Sequence, residues 1–418
     1  MTRVYLHTFG CKANQYDSEV IRQALAAAGA SVVGDPRHAD AAVVNSCTVT
    51  HTGEAKMRGL VRRLARRRPG IRTVVMGCAA AVDDGTLATL PGVTGVVGGA
   101  DAGAVLAALA LEPAPAERLL RRFDRGSRAW LKVQDGCDEH CTFCATVIAR
   151  GANRSRPVDE LVAEATLLSR HAREIVLTGV HIGAYGRDLP GACSLGRLVG
   201  ALVTAVPEVR FRLSSVEATE IDDRLEDLMA TRQDRLAPHV HAPLQSGSDA
   251  VLKRMGRHWY TSGAYRRRLE ALAARLPVLG LGADVIVGFP GETDADHQAT
   301  RALVADLPFT YLHVFPYSER PDASARRLGP PVAPEVVRAR SAELRALAAV
   351  QGDAHTARRH GGIADAVLLE RRRGRFTALT EDYLAVAVAP TGDGPPPARF
   401  RARLTRVGDG IAALPIAS

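Results

Sequence analysis

The chain has 418 residues, a hydrophobic fraction of 46% and a formal net charge of +9, from 54 Lys and Arg against 45 Asp and Glu. This composition excludes wholesale disorder, and the length is typical of two or three domains. No run of residues approaches the roughly 20 apolar residues of a membrane span, and the strand-like N-terminus lacks signal-peptide features. We therefore expect a cytoplasmic protein with no membrane partner. Thiols stay reduced there, so the seven cysteines indicate metal chemistry rather than disulfides.

The first part of the chain alternates between strand and helix periodicity, which predicts an N-terminal parallel α/β domain over residues 1–115. The strands are predicted at Arg3–Thr8, Ala41–Asn45, Arg72–Met76 and Val93–Val97, and the helices at Asp17–Ala28, Thr50–Arg68 and Ala102–Leu111. A segment rich in Pro and Ala at 111–116 is typical of a linker.

The alternation resumes over residues 123–350, where six strand–helix units predict a partial (β/α)6 barrel. The strands are predicted at Ala129–Gln134, Glu174–Thr178, Arg210–Leu213, His239–Pro243, Ala283–Gly288 and Tyr311–Phe315. The clearest helices are predicted at Pro157–Arg170, Leu195–Val206, Thr261–Arg275, Thr293–Leu307 and Pro334–Gln351.

Residues 355–418 change character, because short strands broken by Gly and Pro follow one another without helices. They predict a small all-β module. Its strands are predicted at Ala366–Leu369, Arg375–Leu379, Leu384–Val388 and Ala398–Val407. The predicted fold class is therefore α/β, with an N-terminal α/β domain, a central partial barrel and a C-terminal β module.

Three cysteines, Cys137, Cys141 and Cys144, form a C-x3-C-x2-C motif directly after the first barrel strand. Three thiolates on one loop can bind three corners of a [4Fe–4S] cluster and leave the fourth iron open to a small molecule. A zinc site is the alternative, and it needs four ligands. His140 is the candidate fourth ligand, although it adjoins Cys141, a cramped position from which to reach the same metal.

Three other cysteines each follow a predicted strand of the N-terminal domain: Cys11, Cys47 and Cys78. Because the carboxyl ends of parallel strands share one edge of a sheet, we expect these thiols to converge. They predict a second iron–sulfur cluster with one iron open. The alternative is three small buried residues, since free cysteine is often buried. Cys193, in a loop, is interpreted as an incidental thiol.

The motif at Cys137, Cys141 and Cys144, with Phe143 before its last cysteine, resembles the signature of radical S-adenosylmethionine enzymes. Together with the three N-terminal cysteines and the β module, nearly the whole chain resembles the methylthiotransferases of that superfamily. The resemblance implies two [4Fe–4S] clusters. The first reduces S-adenosylmethionine to a 5′-deoxyadenosyl radical, and the second, on the N-terminal cysteines, serves sulfur delivery.

Three segments are most similar to the branch that acts on N6-threonylcarbamoyladenosine in tRNA: KVQDGC at 132–137, LTGVHIGAYGRD at 177–188 and HVFPYS at 313–318. The resemblance implies transfer of a methylthio group to carbon 2 of that nucleoside at position 37, beside the anticodon. One segment departs from the family, since Ala145-Thr146-Val147 replaces the usual aliphatic residues and proline. The departure removes no ligand, but it puts the packing of the cluster loop in doubt.

The resemblance also implies where the cofactor and the RNA bind. S-adenosylmethionine is expected at strand ends and the turns after them: Thr178, Gly179, Ser214, Ser215, Glu217, Gln245, Ser246 and Val287. The β module resembles the TRAM domain, which implies RNA binding through Arg371, Arg372, Arg373, Arg375 and Tyr383. Ordinary strand-to-loop turns and a basic surface hairpin are the alternatives.

The expected partners are the anticodon stem-loop of tRNA and an electron donor such as a flavodoxin or ferredoxin, with the protein itself a monomer. Three other functions stay open at this point. Two keep the chemistry and change the substrate, to isopentenyladenosine in tRNA or to an aspartate of a small-subunit ribosomal protein. The third is an iron–sulfur protein that binds RNA and senses redox state without turning over S-adenosylmethionine.

Overall fold

The structure is a computed structural model that describes residues 1–48, 51–113, 119–124, 126–191, 193–320, 323–372, 375–390, 394–408 and 410–416. Residues 114–116 of the linker predicted over 111–116, and Arg373, lie outside these ranges. Within the described part of the chain, no helix combines the length and the apolarity that crossing a membrane requires.

The N-terminal domain is built on five parallel strands, β1 to β5, in the spatial order β2-β1-β3-β4-β5. The strands are β1 Arg3–Thr8, β2 Ser31–Val33, β3 Ala41–Ser46, β4 Arg72–Gly77 and β5 Val93–Gly98. The helices are α1 Lys12–Ala27, α2 His51–Arg67, α3 Cys78–Ala81 and α4 Ala102–Ala108. The predicted parallel α/β domain is confirmed.

Two elements of this domain differ from the prediction. The strand β2 was missed because three residues are too few to show an alternating pattern. The helix α1 begins at Lys12, five residues before the predicted Asp17. Its first turn carries buried polar residues such as Asn14, which is fully buried, and so lacks the apolar periodicity that marks a helix.

Six parallel strands form the central barrel, in two sheets of three. The six barrel strands are β6 Arg128–Lys132, β9 Glu174–Thr178, β10 Arg210–Leu213, β11 His239–His241, β12 Gly280–Val287 and β13 Tyr311–Pro316. Two short strands, β7 Gln134–Asp135 and β8 Arg154–Ser155, lie between β6 and β9 in the chain. Parallel bridges Phe211–Leu236 and Ser215–His241 join the two sheets. The barrel order is therefore β6-β9-β10-β11-β12-β13, while β7 and β8 form a separate antiparallel pair.

Helices cover the outside of the barrel, and their apolar residues share one large core with the barrel strands. The short helix α5 Thr146–Arg150 lies instead against α3 of the N-terminal domain. The outer helices are α6 Val158–Ser169, α7 Leu195–Ala205, α8 Asp223–Thr231, α9 Asp249–Arg254, α10 Ser262–Arg275, α11 Asp294–Asp306 and α12 Pro334–Arg359. The last helix extends eight residues beyond its predicted end. It also runs without a break across residues 350–355, where the sequence analysis ended the barrel and began the β module.

The C-terminal module is a closed five-stranded barrel in the order β14-β15-β16-β18-β17. Its strands are β14 Ile363–Arg372, β15 Arg375–Thr380, β16 Ala385–Val388, β17 Arg399–Val407 and β18 Gly410–Pro415. The fifth strand, β18, was not predicted, because its sequence GIAALP does not alternate polar and apolar residues. The layout of α/β domain, partial barrel and small β module is confirmed.

Candidate active site

A cavity of about 370 Å³ lies where the carboxyl ends of β1, β3 and β4 meet those of the barrel strands. It is lined by six of the seven cysteines: Cys11, Cys47, Cys78, Cys137, Cys141 and Cys144. All six are free thiols. The structure therefore brings the three cysteines of the N-terminal sheet together and sets them opposite the three on the barrel loop.

The three N-terminal cysteines converge because each ends a strand of the same parallel sheet. Cys11 directly precedes α1, Cys47 follows β3, and Cys78 begins α3 directly after β4. Gly10, at φ +105°, permits this convergence, since a Cβ there would lie 2.9 Å from Cys47 Cβ. Gly77, at φ +95°, is similarly crowded by Asn45 Oδ1, 2.2 Å from where its Cβ would be.

Two polar side chains that the sequence analysis did not assign lie against these thiols. Asn14 Oδ1 is 3.5 Å from Cys11 Sγ and 3.7 Å from Cys78 Sγ. The amide is fixed because Asn14 Nδ2 donates to the carbonyl oxygen of Ser46 at 2.8 Å. From the barrel side, Arg150 Nε donates to Cys78 Sγ at 3.2 Å. Arg150 thus brings a positive charge to thiols that lie far away in sequence.

Arg150 belongs to a buried network of charges that joins the N-terminal domain to the barrel. It pairs with Asp17 of α1 at 3.0 Å and with Asp135 of β7 at 2.9 Å. Lys132 of β6 contacts the same two carboxylates, at 2.5 and 2.9 Å. Burial alone would raise the pKa of Asp135, but Lys132 and Arg150 outweigh it and lower the pKa to about 2. The network fixes the two cysteine sets relative to each other.

The three cysteines of the barrel loop follow a tight turn that comes directly after β7. Gly136, at φ +73°, has no room for a side chain, since a Cβ would lie 1.9 Å from the carbonyl oxygen of Ala152. Cys141 and Cys144 are connected by a backbone hydrogen bond of 3.1 Å. In the segment that departs from the family pattern, Thr146 Oγ1 lies 3.0 Å from Cys144 Sγ, so its hydroxyl is a partner of the last cysteine.

Two further side chains, which the sequence analysis also did not assign, contact this second set of thiols. His181 Nδ1 lies 3.6 Å from Cys137 Sγ, and Arg257 Nη1 lies 3.6 Å from Cys141 Sγ. Burial opposes a charged His181, yet hydrogen bonds to Cys137 and Glu220 raise its pKa to about 10. Both sets of cysteines therefore have a cationic side chain beside them.

Two of the thiols have raised pKa values. Burial raises the pKa of Cys141 to about 12 and that of Cys78 to about 11, although Arg257 and Arg150 act in the opposite direction. Such thiols hold their protons at neutral pH unless a metal takes the sulfur. Three thiols at one cavity wall beside a fixed cation fit a [4Fe–4S] cluster with one iron free of protein ligands, and the cavity contains two such sets.

The zinc alternative has little support in the geometry. His140, its candidate fourth ligand, is exposed and is not among the residues that line the cavity. A structural zinc ion would therefore have only three of the four ligands that such sites use.

Most of the residues assigned to S-adenosylmethionine line the same cavity as the thiols: Thr178, Gly179, Ser214, Ser215, Glu217 and Gln245. The other two, Ser246 and Val287, do not line it. Ser246 is fully buried, and its hydroxyl lies 3.3 Å from Thr300 Oγ1. Val287 is 1% exposed and belongs to the barrel core. Both side chains lie behind the cavity wall. The sequence pattern of a strand end could not show this, because it does not reveal which side chains face inward.

The cavity wall contains polar atoms that the protein leaves without partners. Glu217 forms an ion pair with Arg257 through one oxygen, while its buried Oε2 has no hydrogen-bond partner in the described part of the chain. Trp259 Nε1 is likewise buried and unpaired among the described residues. Gln245 holds a strained φ of +61° at the same wall. Unpaired acceptors and donors at a cavity wall fit a polar ligand with hydroxyl groups, such as a nucleoside.

The residues assigned to RNA binding fall into two separate places. The facing ends of β14 and β15 pair Arg372 with Arg375 and Arg371 with Phe376, and both Arg371 and Arg375 are exposed. Tyr383 is elsewhere, with its ring stacked on His239 of β11 at 4.2 Å. Its backbone φ is +73°. The resemblance to the TRAM domain grouped Tyr383 with the arginines, whereas the structure places its ring against the central barrel.

Two family models match the chain. Residues 3–98 match the uncharacterized protein family UPF0004, and residues 131–304 match the Radical SAM superfamily. Among solved structures, the radical S-adenosylmethionine methyltransferase TsrM from Kitasatospora setae aligns with a TM-score of 0.57 over 75% of this chain and 73% of that one. At 15% identity this likeness shows the fold alone. Fold and cysteine motif together define a radical S-adenosylmethionine enzyme.

Curated relatives extend over most of the chain. The threonylcarbamoyladenosine tRNA methylthiotransferase MtaB of Bacillus subtilis is 35% identical over 94% of this chain and 92% of the relative. The protein of the same name in Thermotoga maritima is 36% identical over 78% of this chain and 77% of the relative. A tRNA-2-methylthio-N(6)-dimethylallyladenosine synthase of Acidithiobacillus ferrooxidans is 34% identical over 81% of this chain and 79% of the relative. The chain belongs to the radical S-adenosylmethionine methylthiotransferase family.

Proposed function

We propose that this enzyme converts N6-threonylcarbamoyladenosine at position 37 of tRNA to its 2-methylthio derivative. The observation that carries the proposal is the single cavity lined by two sets of three cysteines. Relatives named for the threonylcarbamoyl substrate support this choice over the dimethylallyl one, since two of them match over 92–94% of the chain, whereas dimethylallyl relatives of similar identity match over 81–82%. The chemistry needs two cofactor sites close together, because carbon 2 must lose its hydrogen and form a bond to a sulfur that bears a methyl group.

In this proposal Cys137, Cys141 and Cys144 hold one [4Fe–4S] cluster, and Cys11, Cys47 and Cys78 hold the second. When bound, these clusters supply the electron that cleaves S-adenosylmethionine and an open iron that carries sulfur. The protein's own part is to position the reactants. Gly179 packs against Gln134, which leaves no room for a Cβ at this part of the wall, and Glu217 Oε2 accepts a hydrogen bond from a ribose hydroxyl.

The remaining assignments are part of the same proposal. The chain acts as three units, residues 1–115, 123–350 and 355–418. All three units bind the anticodon stem-loop. The exposed arginines at the facing ends of β14 and β15 contact its phosphates, as arginine does in RNA complexes generally. A flavodoxin or ferredoxin delivers electrons, and the enzyme works as a monomer.

Mass spectrometry of tRNA nucleosides, from cells with and without the gene, tests the proposal. We expect the deletion strain to lose 2-methylthio-N6-threonylcarbamoyladenosine and to accumulate the unthiolated nucleoside. Complementation with the wild-type gene should restore the product, while a Cys137→Ala gene should not. Loss of the methylthio group from isopentenyladenosine instead, or from an aspartate of a ribosomal protein, would contradict the proposed substrate.

A further inference from the structure

A second cavity, of about 590 Å³, adjoins the active-site cavity. The two cavities share part of their walls: Cys11, Lys12, Cys47, Ser214, Ser215 and Asp284. The second cavity continues from there to α2, to the ends of β11 and β13, and to the β module. This part of its wall includes Lys56, His239, His241, Tyr311, His313 and Tyr383. A ligand in the active-site cavity can therefore extend a substituent into this second space.

The second cavity has an unusual share of the chain's lysines. The chain has only four lysines, Lys12, Lys56, Lys132 and Lys253, among 54 basic residues. Lys12 and Lys56 both line this cavity, and neither forms an ion pair with a described residue. Lys132, by contrast, is paired with two carboxylates. Two ammonium groups without a protein partner provide a site for an anion.

A chain of hydrogen bonds arranges the other polar side chains of this wall. Asp284 Oδ1 lies 3.0 Å from His241 Nε2 and 3.1 Å from His313 Nδ1. His241 is also held at its other nitrogen, since Tyr311 Oη lies 3.0 Å from Nδ1. His313 is 54% exposed, and its Nε2 has no partner in the described part of the chain. Both contacts to Asp284 use Oδ1, which leaves Oδ2 as an acceptor for a ligand.

We propose that the second cavity binds the threonyl group of N6-threonylcarbamoyladenosine, an inference that rests on the proposed function. Lys12, Lys56 and His313 bind its carboxylate, and Asp284 Oδ2 accepts from its hydroxyl. Carbons 2 and 6 of adenine flank the same ring nitrogen, so a substituent on N6 lies beside the reacting carbon. An isopentenyl group offers these charges no partner and would desolvate them without compensation. The cavity thus selects the anionic substrate.

Synthetic anticodon stem-loops test the inference with the reconstituted enzyme. One carries N6-threonylcarbamoyladenosine, and the other carries its carboxyl methyl ester, which lacks the negative charge. We expect the wild-type enzyme to prefer the acid. Lys56→Met and His313→Gln should each lower kcat/KM for the acid about 10- to 100-fold, chiefly through KM, because a charge-assisted contact is lost. Activity on the ester should change less than about twofold.

Lys253→Met is the matched control, because Lys253 is an exposed lysine outside both cavities, and it should not alter kcat/KM for either substrate. Equal losses on acid and ester in Lys56→Met would overturn the inference, since they would indicate a contact to the RNA backbone. A wild-type enzyme that modifies acid and ester equally well would overturn it too, with the proposed function intact. A wild-type enzyme that ignores both but modifies isopentenyladenosine would instead refute the proposed function.

One other occupant is chemically reasonable for part of this wall. The ligand atoms of His241, Asp284 and His313 all lie within 4.8 Å of one another, a spacing that suits a divalent metal ion. Metal analysis of the reconstituted enzyme decides between the two. A metal ion beyond the cluster iron that disappears in His313→Gln would overturn the carboxylate assignment. Unchanged metal content in that variant, with the selective loss on the acid, would support it.

Discussion

At the scale of single residues, the two sets of cysteines have different neighbours, although their chemistry as ligands is the same. Cys78 has Arg150 and Asn14 beside it, whereas Cys137 and Cys141 have His181 and Arg257. The second set lies beside the buried Glu217 and the residues assigned to S-adenosylmethionine. The proposed function places S-adenosylmethionine cleavage at the barrel loop and sulfur delivery at the N-terminal set, and this difference in surroundings supports that proposal.

Alanine substitutions in the two sets should therefore have separable effects. Cys137→Ala should abolish cleavage of S-adenosylmethionine under dithionite, because it removes a ligand of the cleaving cluster. Cys47→Ala should retain cleavage but lose methylthio transfer. Quantification of 5′-deoxyadenosine and of the methylthio nucleoside in the same reaction distinguishes them. Normal sulfur transfer by Cys47→Ala would show that the second cluster is wrongly assigned.

At the scale of elements, the cysteines are positioned by the junctions between strands and helices. Gly10 connects β1 to α1 at φ +105°, and its missing Cβ makes room for Cys47. Gly77, between β4 and α3, makes room for Asn45 Oδ1 and the backbone of Ser46. The sheet brings the strand ends to one edge, and the two glycines permit the close packing of the residues beside the thiols.

Gly10→Ala should disturb the N-terminal cluster specifically. A Cβ at 2.9 Å from Cys47 Cβ must displace that cysteine, so we expect the reconstituted iron content to fall from about eight to about four per chain. The strained backbone should cost about 1–3 kcal/mol of stability as well. Iron analysis and thermal unfolding measure the two effects.

Gly29→Ala is the control for the strain alone. Gly29 has a φ of +74°, but nothing lies within 4 Å of its Cβ position. The Gly29→Ala variant should lose about 1–2 kcal/mol of stability and retain its iron. Equal iron loss in both variants would show that backbone strain, rather than the contact with Cys47, disturbs the cluster.

At the scale of the whole molecule, buried charges join the barrel to the β module. Glu174 of β9 is fully buried and pairs with Arg128, Arg210 and Arg212 at 2.6 to 2.9 Å. Arg210 continues to Asp365 of the module at 3.0 Å, and Arg212 donates to the carbonyl oxygen of Thr380 at 2.9 Å. Burial alone would raise the pKa of Glu174, but the three guanidinium groups outweigh it and hold the pKa well below its usual value.

Glu174→Gln should destabilise the protein by about 3–5 kcal/mol at pH 7, because it leaves buried arginines without their counter-charge. Since the pKa of Glu174 is lower when folded than the unfolded value of about 4.3, its stabilisation is present above that pH and is lost on acidification. The difference in the free energy of unfolding between wild type and variant should therefore become smaller below pH 4. Urea unfolding at pH 7 and at acidic pH measures it.

The exposed carboxylate Glu343 offers a matched control, because it also pairs with an arginine, Arg301, at 2.6 Å. Glu343→Gln should change the free energy of unfolding by less than about 1 kcal/mol. If Glu174→Gln were equally mild, the buried charges would not hold the module to the barrel.

Much of this protein was predictable from sequence because its patterns are local. Strand and helix periodicities identified nearly every element near the site, and a cysteine after each of β1, β3 and β4 implied a common edge. The contacts of Arg150 were not predictable, since Asp17 and Cys78 lie 133 and 72 residues away in sequence. Nor could the pattern show that Val287 faces the core or that Tyr383 stacks on the barrel rather than beside Arg371.

The sequence by itself therefore determined the fold class and the six candidate thiol ligands, because periodicity and motif spacing depend on neighbouring residues, and the resemblance of its motifs indicated the family. Only the tertiary structure decided which charges lie beside each set of thiols, and which lysines form no ion pair with a described residue. Those properties depend on burial and on pairing between distant segments. The physical reason is that a charge acts according to its distance and surroundings in space, which the order of residues along the chain does not contain.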